Sequence, residues 1–182
     1  ATVIWSSLVT EIAAGWASSR TGRSAGLVFL GPKDRLCYWP KLLNTLLAEV
    51  GVSYGNIFDL FGVAASVGVK FDLKSAFRAL PINPADAEYL GAVVDGVWIV
   101  FERLPFGLSC SPAYFCRALE STLARFRASS PSTLLALGAI AVFVDDVGIS
   151  AACPERALAL CEHLLRALLA DGWWLSISKS FF

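Results

Sequence analysis

Three aspartates occupy positions where carboxylates could do chemistry together. Asp72 ends a short apolar run, and the adjacent pair Asp145 and Asp146 interrupts a longer one. Adjacent carboxylates repel each other, and a bound cation offsets that cost. Mg²⁺ prefers hard oxygen ligands and keeps several waters, so a few carboxylates can hold it. Two such ions would activate a hydroxyl and neutralise a leaving pyrophosphate, which is the chemistry of phosphoryl transfer.

Each acidic site also has a simpler interpretation. Taken singly, Asp145 and Asp146 fit a solvated hairpin turn, and Asp72 fits a cap for the turn that follows it. The two sites together favour metal binding, because neighbouring strands of one sheet would bring the three carboxylates to the same place. The three aspartates are therefore candidate metal ligands and candidate catalytic residues.

The elements that must position these residues follow a regular order in the second half of the chain. Strands are expected at 69–73, 89–94, 97–102, 139–144, 147–150 and 174–177, with Asp95-Gly96 as a hairpin turn. Helices are expected at 111–126, where Ser111 caps and Pro112 takes the first turn, and at 154–170. This order predicts an α+β fold, an antiparallel sheet with helices packed on one face.

The first part of the chain is harder to interpret. Leucines at helical spacing predict a helix over 41–50, and a second helix is expected over 57–66 with Asn56 as its cap. Glycines and prolines interrupt the short apolar runs of residues 1–40, whose strand order stays open. No repeat and no low-complexity linker is present in the sequence.

Composition allows a large core but does not by itself favour a nucleic-acid binder. Hydrophobic residues make up 56% and charged residues 16% of the chain, and 15 Lys+Arg balance 15 Asp+Glu. A stand-alone nucleic-acid binder usually carries a basic excess. The distribution of charge weakens this objection, because five basic residues lie near one another with Asp34 the only acid among them: Arg20, Arg23, Lys33, Arg35 and Lys41.

The cysteines and the apolar stretches indicate which metal site and which cellular compartment to expect. The five cysteines show no CxxC spacing and His163 is the only histidine, which argues against a structural zinc site. An odd, scattered set of thiols predicts an intracellular protein, in cytoplasm or nucleus and not secreted. The apolar part of residues 128–144 is too short to cross a bilayer, so no membrane role is expected. The missing initiator methionine suggests a segment of a longer polypeptide.

Residues 70–179 resemble the palm of reverse transcriptases in four blocks that follow the family's order. The blocks are 70–78, an Asp followed five residues later by an aromatic; 104–115, with Leu-Pro-Phe-Gly-Leu; 143–146, with Phe in place of the commoner Tyr; and 172–179, ending in a lysine. The sequence of residues 77–84 is similar to that of reverse transcriptases from retrotransposons that integrate with a tyrosine recombinase (DIRS-like).

The resemblance implies an RNA-directed DNA polymerase of right-hand architecture. Residues 1–69 would be partial fingers and residues 70–182 the palm, with the thumb absent. The implied reaction is two-metal transfer of deoxynucleotides to a primer 3′-hydroxyl on an RNA or DNA template, with Mg²⁺ as cofactor and Mn²⁺ as a substitute. The implied partners are the template-primer, the deoxynucleotides, and the missing thumb and other polyprotein domains.

The resemblance also implies a role for each site residue. Asp72 and Asp145 would hold both ions, Asp146 would support them, and Leu73 would offer its backbone carbonyl. Lys179, near the incoming triphosphate in the family, would protonate or steady the pyrophosphate; a solvated surface lysine is the alternative. The other substrate-binding residues are Ser75, Ala76, Phe77, Phe106 and Gly107.

Two of these substrate-binding residues carry specific expectations. The Phe77 ring would lie under the sugar and exclude a 2′-hydroxyl, although a core aromatic is the simpler interpretation. Gly107 would let the backbone approach the base pair or template closely. The basic residues that grip the triphosphate stay unassigned, with Arg20, Arg23, Lys33 and Arg35 as candidates.

Two other functions are weighed against this one. An RNA-dependent RNA polymerase generally places another acid soon after the first, where this chain has Ala76-Phe77-Arg78, and has Gly-Asp-Asp where this chain has Val144-Asp145-Asp146. A catalytically silent remnant or binding module would have no need of three intact carboxylates. Metal titration would separate an active site from an inactive one.

Overall fold

A computed structural model describes residues 27–31, 35–47, 50–52, 54, 65–87, 89–94 and 96–181. Arg20, Arg23, Lys33 and Asp95 lie outside these residues, as does the predicted helix 57–66 except for its last two positions. The backbone of Arg35 is described, but its side chain is not.

The described residues form seven strands and five α-helices. The strands are β1 (Leu27–Gly31), β2 (Arg35–Trp39), β3 (Val67–Asp72), β4 (Gly91–Val94), β5 (Val97–Val100), β6 (Gly138–Phe143) and β7 (Asp146–Ala151). The α-helices are α1 (Lys41–Leu46), α2 (Pro84–Ala87), α3 (Ser111–Ser129), α4 (Ser132–Leu135) and α5 (Pro154–Ala170), and 3₁₀ turns span Ala76–Ala79 and Ile177–Lys179.

The chain divides into two compact units, and each is built from two stretches of sequence. The first takes the chain up to Val50 together with Leu80–Ser111, and the second takes Gly51–Ala79 with Pro112–Phe182. The predicted boundary between residues 69 and 70, which separates fingers from palm, stays a prediction.

The first unit contains two antiparallel hairpins, β1–β2 and β4–β5. Its apolar centre is formed by the buried side chains of Tyr38, Ala92, Leu108 and Cys110, against which Leu47 and Val50 pack. The helix predicted over 41–50 ends at Leu46 because Leu47 is extended, with φ −76° and ψ 138°. Leu47 and Val50 thus pack on the apolar centre from positions after the described end of the helix.

The second unit is organised around the antiparallel sheet β3-β7-β6. Helix α5 contacts all three strands. Its buried residues recur at helical spacing, as expected for a helix that packs one face on a sheet: Ala157, Leu160, Cys161, Leu164 and Leu168. The α+β prediction and the bounds predicted for this helix, 154–170, are both confirmed.

Two details at the ends of predicted elements are wrong. The last strand, expected over 174–177, is a single bridge between Leu175 and Leu73, because the chain then turns into the 3₁₀ helix Ile177–Lys179. Helix α3 is three residues longer than predicted and already includes Ser111, whose hydroxyl donates to the carbonyl of Pro105 at 2.8 Å.

The described thiols are unpaired. Cys110, Cys116, Cys153 and Cys161 are free, and burial raises the pKa of the Cys161 thiol to about 11. A buried thiol such as that of Cys161 resists ionisation and therefore reacts slowly. Within the described part of the chain, no helix is both long and apolar enough to span a bilayer.

Candidate active site

The register of β3 and β7 brings two of the three aspartates together. Asp72, the last residue of β3, lies directly opposite Asp146, the first residue of β7. The preceding pair, Phe71 and Val147, is fully buried. Because side chains alternate along a strand, Asp72 and Asp146 share the other face of the sheet. Directly opposed residues have Cβ atoms about 4.5–5.5 Å apart, so the two carboxylates are close neighbours.

Asp145 lies in the two-residue loop that joins β6 to β7. The strands pair up to Phe143 and Asp146, which leaves Val144 and Asp145 as the loop. Val144 has φ +54°, a conformation that β-branched residues rarely adopt. The Leu73 N–H donates to the Asp145 carbonyl at 3.0 Å, which ties the loop to the end of β3. The loop thus ties the backbone of Asp145 to the residue that follows Asp72, at the cost of local strain at Val144.

Lys179 reaches the site from the segment that borders the outer edge of β3. This segment bridges Leu73 through Leu175 and Lys70 through Phe181. Two residues of β3 lie between these bridges, whereas the bordering segment has five, residues 176–180, and forms the 3₁₀ helix there. The excess length lets the Lys179 ammonium lie 3.2 Å and 3.4 Å from the two carboxylate oxygens of Asp72.

Lys70 is a second lysine at the site, and sequence reasoning assigned it no role. Its ammonium lies 2.8 Å from Oδ2 of Asp146. The hydrogen bond to Asp146, aided by the charges of Asp146, Asp72 and Asp145, raises the pKa of Lys70. The available signal was its position two residues before Asp72, since alternation along β3 places both side chains on one face.

The donor set fits a hard divalent cation. Carboxylates and a backbone carbonyl are oxygen ligands of the kind that Mg²⁺ prefers, and two ammonium groups already lie against Asp72 and Asp146. Among the described residues, however, no three His, Cys, Asp or Glu side chains are gathered into a ready metal cluster. Binding would require the carboxylates to leave their lysines, and the ligand set of Asp72, Leu73, Asp145 and Asp146 stays a prediction.

Phe77 lies in the 3₁₀ turn that follows Asp72. Its ring is 5.1 Å from that of Phe115, which in turn meets Trp173 edge-on at 5.6 Å. Ser75, with φ +53°, turns the chain into this helix, where Ala76 and Phe77 are both buried. The aromatic packing accounts for Phe77 as a core residue and also fixes its ring. The predicted role in sugar selection is untested.

Contacts within the first unit explain why residue 107 is a glycine. It has φ +103°, and a Cβ atom there would lie 1.8 Å from the Tyr38 carbonyl oxygen. Asn44 of α1 encloses the same loop, because its amide donates to the Gly107 carbonyl and accepts from the Ser109 N–H, both at 2.9 Å. Phe106, beside it, is exposed. The contacts of Phe106 and Gly107 with template or nucleotide stay predictions.

Asn44 was missed by sequence reasoning. The only signal was a polar residue in the leucine-rich stretch 41–47, and that signal does not identify its partner. Its two hydrogen bonds connect residues more than 60 positions apart in the sequence.

Comparisons with known proteins agree with the blocks read from the sequence. The Pol polyprotein of feline endogenous virus ECE1 is 32% identical over 116 residues, 60% of this chain and 10% of the polyprotein. The Gag-Pol polyprotein of avian reticuloendotheliosis virus is 32% identical over 119 residues, again 60% of this chain and 10% of the polyprotein. The chain therefore spans about a tenth of these curated relatives.

Solved structures show the same fold. The foamy viral protease-reverse transcriptase in complex with an RNA/DNA hybrid matches 86% of this chain and 20% of its own, with a TM-score of 0.71 and 24% identity. A second structure of that protein, with double-stranded DNA, matches 84% of this chain and 26% of its own, with a TM-score of 0.70 and 23% identity. The family model for reverse transcriptase (RNA-dependent DNA polymerase) matches residues 63–182, and the chain therefore belongs to that family.

Proposed function

We propose that this chain is the fingers-and-palm core of an RNA-directed DNA polymerase, which adds deoxynucleotides to a primer 3′-hydroxyl on an RNA or DNA template. The observation that carries the proposal is the placement of Asp72 directly opposite Asp146, with Asp145 in the adjoining loop. Family membership supports it. The foamy viral structures with an RNA/DNA hybrid and with double-stranded DNA support a template-primer as the partner.

The carboxylates would hold two Mg²⁺ ions, which Mn²⁺ could replace. Asp72 and Asp145 would bind the ions together with the Leu73 carbonyl, and Asp146 would support them. When bound, such ions acidify the primer hydroxyl and neutralise charge on the leaving group. The 3′-hydroxyl would lose its proton to solvent, and its oxygen would bond to the α-phosphorus as the bond to pyrophosphate breaks. The chain's task is to hold the reacting atoms in line.

Lys179 would act on the leaving group. In the structure its ammonium is paired with Asp72. A metal ion that takes up the Asp72 carboxylate would release this ammonium, which then lies within the same site and can protonate or steady the departing pyrophosphate. Lys179 would thus alternate between two anions, the carboxylate before metal binding and the pyrophosphate after it.

The residues that follow Asp72 would select the sugar. Phe77, with Ser75 and Ala76 before it, lies just beyond Asp72 in the chain, and its ring is held against Phe115. A fixed ring under the incoming sugar would exclude a 2′-hydroxyl and so favour deoxynucleotides. Phe106 and Gly107 would contact nucleotide or template.

The core would work together with other domains and inside the cell. The curated relatives are polyproteins, so we propose that the core works with a thumb and other polyprotein domains. The free thiols support a reducing compartment, cytoplasm or nucleus. The DIRS-like placement of the element stays a prediction.

The test is primer extension on an RNA template with deoxynucleotides, in Mg²⁺ and in Mn²⁺. Asp145→Asn should lower the rate by about a thousandfold, because several kcal/mol of metal-based stabilisation are lost. Asp86→Asn, at an exposed aspartate of α2, is the matched control and should stay within about twofold of the unmodified chain.

Other outcomes point to other functions. Extension that Asp145→Asn does not slow would remove the metal site from the mechanism. Extension with ribonucleotides alone would favour an RNA-dependent RNA polymerase. A folded chain that neither extends primers nor binds Mn²⁺ would be a silent remnant.

A further inference from the structure

The pair formed by Lys70 and Asp146 has no part in the reaction described above. Lys70 lies on β3 opposite Gly148 of β7, and Asp72 lies opposite Asp146. Gly148 has no side chain, so the Lys70 stem can cross to β7 diagonally. Its ammonium contacts Oδ2 of Asp146 at 2.8 Å. The lysine thus reaches the carboxylate across the open face of the sheet.

Each of the two lysines at the site holds a different carboxylate. Lys179 is on Asp72 and Lys70 is on Asp146, whereas Asp145 has no ion pair in the described part of the chain. The two lysines are similarly exposed, Lys179 at 57% and Lys70 at 48%, but the Asp72 side chain is 13% exposed and that of Asp146 36%. The Asp146 carboxylate is therefore the more accessible of the two to solvent and to an entering cation.

We propose that Lys70 is a positioning residue which holds the Asp146 carboxylate in an ion pair, so that a cation entering the site must compete with the lysine for this third ligand. The proposal rests on the proposed function, since it concerns the same carboxylates. Without Lys70, three carboxylates would face one another with only Lys179 to offset their repulsion. With Lys70, two of them are paired, and the affinity for metal is lowered.

The consequence is a weaker metal site that is kept ordered before metal arrives. A positive charge against Asp146 opposes a second cation there, and its removal strengthens metal binding. A lysine that acted only in folding would have no such effect. Metal affinity, measured without nucleic acid or nucleotide, therefore separates positioning from a purely structural role.

The experiment is titration of the chain with Mn²⁺ at constant pH and low salt, with free Mn²⁺ followed by electron paramagnetic resonance. Lys70→Met keeps the length of the side chain and removes its charge, and should tighten Mn²⁺ binding by about fivefold. Lys70→Arg retains the charge and should stay within about twofold of the unmodified chain. Lys74→Met, at an exposed lysine two residues past Asp72, controls for loss of charge alone and should also change little.

A double-mutant cycle assigns the effect to Asp146. In an Asp146→Asn background, Lys70→Met should change Mn²⁺ binding by less than about twofold, because the contact is already lost. Equal tightening in both backgrounds, or weaker or unchanged binding in Lys70→Met, would overturn the proposal. Thermal unfolding in EDTA shows whether each variant is folded.

Failure of the positioning role is distinguishable from failure of the proposed function. An unmodified chain that binds Mn²⁺ and extends primers, with no tightening in Lys70→Met, would keep the polymerase and reject the role of Lys70. A folded chain that binds no Mn²⁺ and extends no primer would reject both.

Discussion

Two hairpins of this chain differ in the residue that takes up a left-handed conformation between their strands. In the β4–β5 hairpin, which pairs up to Val94 and Val97, it is Gly96 at φ +75°. In the β6–β7 hairpin, which closes through Val144 and Asp145, it is Val144 at φ +54°. Glycine adopts such a conformation at little cost, whereas a β-branched residue does not. The left-handed position of the first hairpin is therefore favourable, whereas that of the second is strained and lies next to Asp145.

The same contrast extends to the other left-handed positions. Glycine occupies this conformation at Gly96, Gly107 and Gly172. The non-glycine residues that adopt it in the described chain are Ser75 and Val144, three positions after Asp72 and one before Asp145. Backbone strain that is retained next to candidate ligands is typical of functional sites. The comparison therefore predicts that relieving strain at Val144 costs activity, while adding strain elsewhere costs only stability.

The largest effect on stability is expected at Gly107. Gly107→Ala would combine an unfavourable φ of +103° with a Cβ atom 1.8 Å from the Tyr38 carbonyl oxygen. We expect the free energy of unfolding to fall by about 3 kcal/mol or more. Urea denaturation followed by circular dichroism would measure it. Gly51→Ala, where a Cβ atom meets nothing within 4 Å, should change it by less than about 0.5 kcal/mol.

A smaller loss is expected when the favourable turn receives the residue of the strained one. A Cβ atom added at Gly96 meets nothing within 4 Å, so the cost of Gly96→Val should come mainly from the left-handed backbone conformation. The free energy of unfolding should fall by about 1–2 kcal/mol, and primer extension should be unchanged. If the substitution were neutral in urea denaturation, Val144 could not be called strained, and the contrast between the hairpins would disappear.

The smallest effect on stability, of opposite sign, is expected at Val144. Val144→Gly relieves the left-handed strain but adds flexibility to the unfolded chain, for a net gain of about 0.5–1 kcal/mol. Primer extension should nevertheless slow by about threefold to tenfold, because Asp145 is then less firmly held. Urea denaturation tests the predicted gain in the free energy of unfolding, and primer extension tests the predicted loss of rate. A variant that is more stable and fully active would show that the strain serves no purpose.

Local patterns were sufficient to predict much of this molecule. The β6–β7 hairpin and the helix Pro154–Ala170 were expected from apolar runs, turn residues and helical spacing, all of which act between neighbours in the sequence. The sequence also predicted that neighbouring strands would bring the aspartates close together. The direct opposition of Asp72 and Asp146, however, rests on the register of β3 and β7, which local patterns do not determine.

The features that were missed depend on contacts between distant segments. The contact of Lys70 with Asp146 needs the register of two strands about 75 positions apart. Asn44 binds a loop more than 60 residues away. The 3₁₀ turn that carries Lys179 replaces an expected strand, because residues 176–180 span a gap that only two residues of β3 occupy. Hydrophobic periodicity contains no information on such matches.

The irregular segment along β3 also bears on how the protein avoids association. An unpaired sheet edge offers a row of N–H and C=O groups that another chain can join. Here residues 175–181 border the outer edge of β3, but they bridge it only at Leu175 and Phe181 and turn as a 3₁₀ helix between. Along residues 70–73, a strand from a second molecule therefore finds no continuous row of backbone groups to pair with. The turn that delivers Lys179 to Asp72 thus also protects this part of the sheet edge against β-sheet aggregation.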